Sequence, residues 1–282
     1  MLERLFNSWQ LVKASAAVLR ADRELLLFPV YSAVLSVILV CTFAVPAMLS
    51  GAFHVGPGDT LSMPPAGYAL VFLFYVAQYF VIFFCNTALV GAAMIRLRGG
   101  DPTVSDGFDI AWSRAGDILG YAVLAATVGM VLRAISERSG LIGRLVVSFV
   151  GIGWNLATFL AVPVLVMEEV GPLGAVRQSA EYLKSTWGEQ IVGTAGIGLV
   201  FGLISLAPFA AGALVFAEAI RQQSTVLAVG AVLGVGLALV AIGLVSSALG
   251  AIYSAALYRY AAEGEVGTFF TPDILRGAFR RK

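Results

Sequence analysis

Residues 225–258, TVLAVGAVLGVGLALVAIGLVSSALGAIYSAALY, contain no Asp, Glu, Lys, Arg or His. A helix on the surface of a soluble protein needs a polar stripe facing water, and this stretch offers none. At ~1.5 Å per residue it would be about 50 Å long, against roughly 30 Å of bilayer hydrocarbon, so it must tilt, project beyond the membrane or be interrupted. Five further apolar runs lie upstream, at 25–50, 68–95, 118–132, 145–167 and 190–216. Open strands cannot span lipid, because their edge amides would be unpaired, and the runs lack the ten-residue alternation of an outer-membrane barrel. The expected fold class is all-α: a polytopic membrane helix bundle of six spans, forming a single membrane domain over 1–282.

Composition agrees with the runs. The chain is 59% hydrophobic and 12% charged, about half the charge that solvates a soluble domain, and its mean hydropathy is +0.90. A net charge of +1 gives no bias toward nucleic acid. The first run is too long for the core of a cleaved signal and is read as a retained anchor. The third run is short and needs flanking residues to cross. Only 133–144 separate it from the fourth, so the two could also form one re-entrant element. Of the 18 Lys and Arg, an N-in, C-in arrangement leaves only Arg133, Arg138, Arg144 and Arg221 outside. The positive-inside bias therefore puts both termini in the cytoplasm.

The inner segments carry helical stripes of their own. Leu5, Trp9, Val12, Ala16 and Leu19 recur at spacings of three and four, as do Leu173, Val176, Ala180, Leu183 and Trp187; Val104, Phe108, Ala111 or Trp112, and Ala115 make a shorter version. Charged residues fill the opposite faces, the pattern of interfacial amphipathic helices. Asp101-Pro102, Gly171-Pro172 and Thr271-Pro272 each place a cap residue before a proline, which suits the first helical position; the last would open a short helix with Ile274, Leu275 and Phe279 opposed by Arg276, Arg280 and Arg281. Asn86-Thr-Ala88 and Asn155-Leu-Ala157 stand at similar distances before the next proline, with Ser246-Ser-Ala248 roughly in that place in the sixth span. These echoes suggest a threefold repeat of surface helix plus hairpin. The segments are 1–24 (helix), 25–100 (hairpin), 101–170, 171–264 (helix and hairpin each) and a 265–282 tail.

Small residues at four-residue spacing, Gly198 and Gly202, Gly230 and Gly234, then Gly243, Ser247, Ala251 and Ala255, allow backbones to approach closely. They predict packing of spans five and six on each other; a homo-oligomer interface or the wall of a narrow pore is the alternative. Pro163 and Pro208 should kink spans four and five. Gln78, Asn86 and Asn155 are the amides inside spans, and they read as interhelical glue. In the sharper alternative, Asn86, Asn155 and Ser246 or Ser247 surround a polar path. Trp9, Trp112 and Trp187, with Tyr258 and Tyr260, suit the headgroup zone, and Arg280, Arg281 and Lys282 should attract anionic phospholipid at the cytoplasmic face.

Chemistry-bearing constellations are sparse. No span core holds an ionisable group, which argues against a proton relay. Cys41 and Cys85 lie in apolar runs without CxxC spacing, and the single His54 sits among Gly51, Gly56 and Pro57 with no HExxH; neither supports a metal or redox centre. Asp101, Asp106, Asp109 and Asp117 alternate with Arg96, Arg98 and Arg114, and Glu168 and Glu169 end span four. Ion pairs and helix-end compensation account for such a pattern, with a cation or headgroup site as the lesser alternative. No catalytic residue, cofactor site or metal site is predicted.

The stretches SWQLVKAS (8–15) through RELLLFPV (23–30), NTALVGAAMIRLRGGDPTVSDGF (86–108), SAEYLKSTWGEQIVG (179–193) and DILRGAF (273–279) resemble an uncharacterised family of bacterial six-span membrane proteins over nearly the whole chain. More distantly the pattern is similar to the membrane domain attached to some bacterial glycerophosphodiester phosphodiesterases. Their catalytic barrel has no counterpart here, so the resemblance implies no phosphodiesterase activity. It implies a multi-pass protein of the bacterial cytoplasmic (inner) membrane. Two functions fit: a non-enzymatic channel-like or facilitative transport protein first, and a membrane-organising scaffold that binds lipid or partners second.

Overall fold

In the computed structural model, residues 2–49, 54–55, 61–62, 65–185, 187–264 and 269–270 are described. Ten helices account for nearly all of them. Seven make up the six spans: α2 (Leu27–Leu49), α3 (Pro65–Leu97), α5 (Ala115–Arg138), α6 (Leu141–Ala157) continued by α7 (Ala161–Met167), α9 (Trp187–Arg221) and α10 (Thr225–Tyr258). The connecting helices are α1 (Leu2–Ala21), α4 (Val104–Ser113) and α8 (Pro172–Ser185). A minimal antiparallel ribbon, β1 (His54–Val55) with β2 (Leu61–Ser62), lies between α2 and α3.

Six helical segments are long and apolar enough to cross a bilayer, and no more than 28% of any one's most apolar window is buried in protein. Side chains such as Val37, Phe149, Leu214 and Leu237 stand exposed. That much uncovered hydrocarbon is stable only in lipid. The chain is an integral, multi-pass membrane protein. The third and fourth runs are two separate spans, for α5 ends at Arg138 and α6 begins at Leu141. The sixth is not interrupted. α10 runs unbroken into a π-helical turn, Arg259–Glu263, and nearly every residue from Ala248 to Arg259 is buried, whereas the first two-thirds of the helix is mostly exposed.

Span four does break. α6 stops at Ala157, a turn follows, and α7 starts at Ala161. Pro163 lacks an N–H, and its ring excludes the carbonyl of the residue four positions earlier, so the fault lies one turn before the proline. Pro208, by contrast, sits inside an uninterrupted α9.

The packing divides into two units. One holds α1, the last turn of α3 and the α9–α10 pair. There α9 and α10 lie side by side with α1 against both. They are joined through Gln223 in the left-handed region (φ 49°), and the Ser224 hydroxyl accepts from the Leu227 N–H. Leu11, Val18, Leu25, Phe28, Leu249, Ile252, Tyr253 and Leu257 supply buried bulk.

The other unit holds most of α2 and α3 together with α4 to α8. An i,i+4 ladder on α3 organises it. Tyr75, Tyr79 and Phe83 stack in sequence, and Phe83 meets Tyr121 of α5 at 4.5 Å between ring centroids. The Tyr79 hydroxyl reaches the open side of Gly129 on α5. On the next face Phe84 contacts Phe108 and Trp112 of α4.

Helix starts follow the sequence in one case and depart from it in another. α8 begins at Pro172, as predicted. α4 begins later than its proline, at Val104, because Thr103 and Asp106 form a reciprocal capping box that satisfies two otherwise orphaned donors. The Thr271-Pro272 start and the basic tail fall outside the described residues.

Candidate functional site

The connecting helices are where local sequence departs most from a plain lipid-facing span. In α1 the buried positions are Leu11, Val12, Ala14, Ser15 and Val18; in α4 they are Gly107 and Ala111; in α8 they are Ala175 and Ser179. Each buried set centres one residue before the predicted stripe. A shift of one position turns the face by about 100° around a helix of 3.6 residues per turn. In α4 and α8 small residues make the protein contact, whereas α1 buries Leu11, Val12 and Val18 with Ala14 and Ser15; each helix leaves a large apolar side chain uncovered beside its contact, Trp9 being 43% exposed, Trp112 72% and Leu173 72%. The apolar stripe read from the sequence therefore lies beside the protein contact face and not on it. Lys13 stands over the Trp9 ring at 5.7 Å, leaving a cation at the edge of that uncovered strip.

Within the second unit the repeat acquires a geometric counterpart. A Cβ on Gly91 of α3 would press on Ile110 of α4, while Leu160, at the break of span four, donates its N–H to Ser179 Oγ of α8 at 3.0 Å. Both contacts join residues 19 apart, so each returning span closes on the helix that follows it at matching places. Tyr182, one turn after Ser179, donates to Glu168 at 2.9 Å; burial first, and then that carboxylate, push the phenol pKa up.

A knot of charges closes the end of the first unit. Arg259, 4% exposed, donates Nη1–H to the Leu97 carbonyl at 2.6 Å and Nε–H to Glu263 at 3.1 Å. Arg98 reaches the other Glu263 oxygen at 2.5 Å. Arg96 commits Nη2 to Asp101 at 2.6 Å, while its Nε lies 3.6 Å from Asp22 Oδ2; neither of those two atoms has a hydrogen-bond partner. Desolvation raises the Asp22 pKa by more than Arg96 lowers it. Three guanidinium groups face three carboxylates, so the knot is charge-balanced. Its evident work is to tie the α1–α2 junction and the π-helical turn to the end of α3.

The predicted acidic cluster separates into unrelated roles. Asp101 pairs with Arg96, and Asp106 is the capping-box residue, its pKa lowered by the Thr103 N–H and then the Thr103 hydroxyl. Asp109 is exposed, and Asp117 lies in the first turn of α5. No three His, Cys, Asp or Glu among the described residues are placed to hold a metal.

Of the polar-path residues, Asn86 and Ser246 are half-buried, whereas Asn155 and Ser247 are exposed. Gln78, one of the three amides expected to bond between helices, does so, its Nε2–H donating to Ser36 Oγ at 2.7 Å. The glycines expected to seam spans five and six do not do so. Gly198, Gly202, Gly230, Gly234 and Gly243 are all exposed, and a Cβ at any of them would meet nothing within 4 Å. The close approach is at Gly212, where a Cβ would overlap Val235. Beside it α9 and α10 form a shallow, open apolar groove lined by Phe216, Ala228, Val229, Val232 and Leu233. Trp187 begins α9, but its side chain lies outside the described residues. Sequence reasoning missed Asp22, Ser179 and the Arg259–Glu263 pair. Only the last left a signal, an Arg and a Glu four residues apart directly after a span.

Residues 65–269 match the model of a family of unknown function, DUF6159. The chain belongs to that family. The match runs from the start of α3 past the π-helical turn, covering five of the six spans and two of the three connecting helices. Comparison with curated proteins gives no match, and the more distant likeness to phosphodiesterase membrane domains gains no support.

Proposed function

We propose that this protein organises the membrane around it, using α1, α4 and α8 as three lipid-contacting helices on the cytoplasmic leaflet of a bacterial inner membrane, with both termini inside. The observation that carries this is the uncovered apolar strip each helix keeps beside its contact face. A helix that only needed to pack would bury its largest apolar side chains; α4 and α8 bury Ala, Gly and Ser and hold out Trp112 and Leu173, and α1, which buries Leu11, Val12 and Val18, still holds out Trp9. Exposed Lys13, Arg20 and Arg177 border the strips, a charge pattern suited to anionic phospholipid. No catalytic step belongs to this role.

Lipid co-purifying with the full chain tests it. Anionic phospholipid should exceed its share in the host membrane. Trp9→Glu, Trp112→Glu and Leu173→Glu together should abolish the excess while helix content is unchanged. An excess untouched by all three changes contradicts the role. A conduit is the second reading, supported by the broken fourth span and by the half-buried Asn86 and Ser246. It requires solute flux through reconstituted vesicles that Asn86→Leu and Ser246→Ala reduce.

A further inference from the structure

Among the described carboxylates, Asp22 is buried yet poorly paired. It sits between α1 and the 3-10 turn Arg23–Leu26, is 6% exposed, and has one cation in reach. That cation is already engaged. The short bond of Arg96 goes to the exposed Asp101, and what it turns toward Asp22 is an Nε–H at 3.6 Å with no hydrogen bond formed. Two carboxylates thus compete for one guanidinium, and the buried one has the poorer share. A carboxylate taken out of water and weakly paired is unfavourable in its charged form, and its neutral form is the less costly of the two to bury.

We propose that Asp22 is the proton-binding group of a latch at the junction of α1 and the first span, seated when neutral and loosened when ionised. The other charges around it act in a consistent direction. Glu24, next on the same turn, and Asp101, after α3, both oppose a negative Asp22, and only Arg96 and the Glu24 N–H favour it. From α10, Arg259 and Glu263 are committed to the Leu97 carbonyl, to each other and to Arg98. The described charges of α9, Glu218 and Arg221, pair with each other at its far end. The direction of the Asp22 pKa agrees with the geometry: its folded value lies above its ordinary value of 3.8. The folded chain therefore holds the proton to higher pH than the unfolded one. The stabilisation is complete below the ordinary value and is lost as pH rises through the folded one. The latch stands independently of the lipid role, since it concerns how α1 joins the first span and not what covers α1.

Hydrogen–deuterium exchange of the full chain in lipid nanodiscs tests it, after correction for the intrinsic pH dependence of exchange. The backbone amides of 18–27 should be better protected at pH 5 than at pH 8. Asp22→Asn, a mimic of the neutral state, should show the pH 5 protection at both values. Asp101→Asn frees Arg96 for Asp22, and should narrow the difference. Equal protection of the unaltered chain at the two pH values overturns the latch, as does an Asp22→Asn chain that keeps the full pH difference.

Discussion

Replacing Arg259 with alanine removes the centre of the charge knot, and the neighbouring Arg98 supplies an internal control. Both guanidinium groups contact Glu263, but their surroundings differ: the Arg259 side chain is 5% exposed and that of Arg98 is 48% exposed. Breaking a buried pair from one side costs roughly 3–5 kcal/mol, because the remaining partners are left desolvated. Here those partners are Glu263 and the Leu97 carbonyl, one of the unsatisfied acceptors that end α3. A pair open to solvent on one side is worth about 0–1 kcal/mol. Arg259→Ala should therefore lower unfolding free energy by about 3 kcal/mol or more, and Arg98→Ala by no more than about 1. Arg259→Lys keeps the charge without the fork that serves both acceptors, and should fall between. Unfolding in mixed detergent–SDS micelles, followed by circular dichroism, measures all three. Equal losses for Arg98→Ala and Arg259→Ala would refute the claim that burial, and not charge count, sets the strength of this knot.

Serine at matching places in α1 and α8 should behave in opposite ways. Ser179→Ala strands the buried Leu160 N–H and should cost about 1–3 kcal/mol, whereas Ser15→Ala removes a buried hydroxyl that has no partner and should be neutral or stabilising. Glycines separate similarly. Gly212→Ala drives a methyl into the stiff, β-branched Val235 and should destabilise by about 1–3 kcal/mol. Gly202→Ala, in open space, should be neutral or gain up to about 1 kcal/mol of helix propensity.

The spans were legible because their signal is local. A run of uncharged apolar residues long enough to cross lipid needs no tertiary information, and the structure supplies helices at all six runs. Span four was legible as a kink through Pro163, but the fault one turn earlier is a consequence of backbone geometry. The connecting helices show what periodicity leaves out. A search for apolar stripes selects Trp9, Phe108, Trp112 and Leu173, because hydropathy rewards size. Close packing also admits small residues, so Ser15, Gly107 and Ser179 sit in the contact faces although a hydropathy scale passes over them. Glycine spacing is a weak guide to packing: four-residue repeats mark where a close approach is sterically allowed, and among the described glycines of spans five and six only Gly212, outside those pairs, makes one. The charge knot was illegible for another reason. Arg98 and Glu263 are 165 residues apart, and nothing at either position names its partner.

The depth of the connecting helices tests the proposed role most directly. The chain has four tryptophans, so single-tryptophan versions retaining Trp9 or Trp112, with Trp154 as the mid-span comparison, can be reconstituted into vesicles with brominated lipids. Bromines placed just below the headgroups should quench Trp9 and Trp112 strongly while aqueous acrylamide does so weakly. Quenching of both by acrylamide, with no response to bromine at any depth, would mean that the apolar strips do not meet lipid.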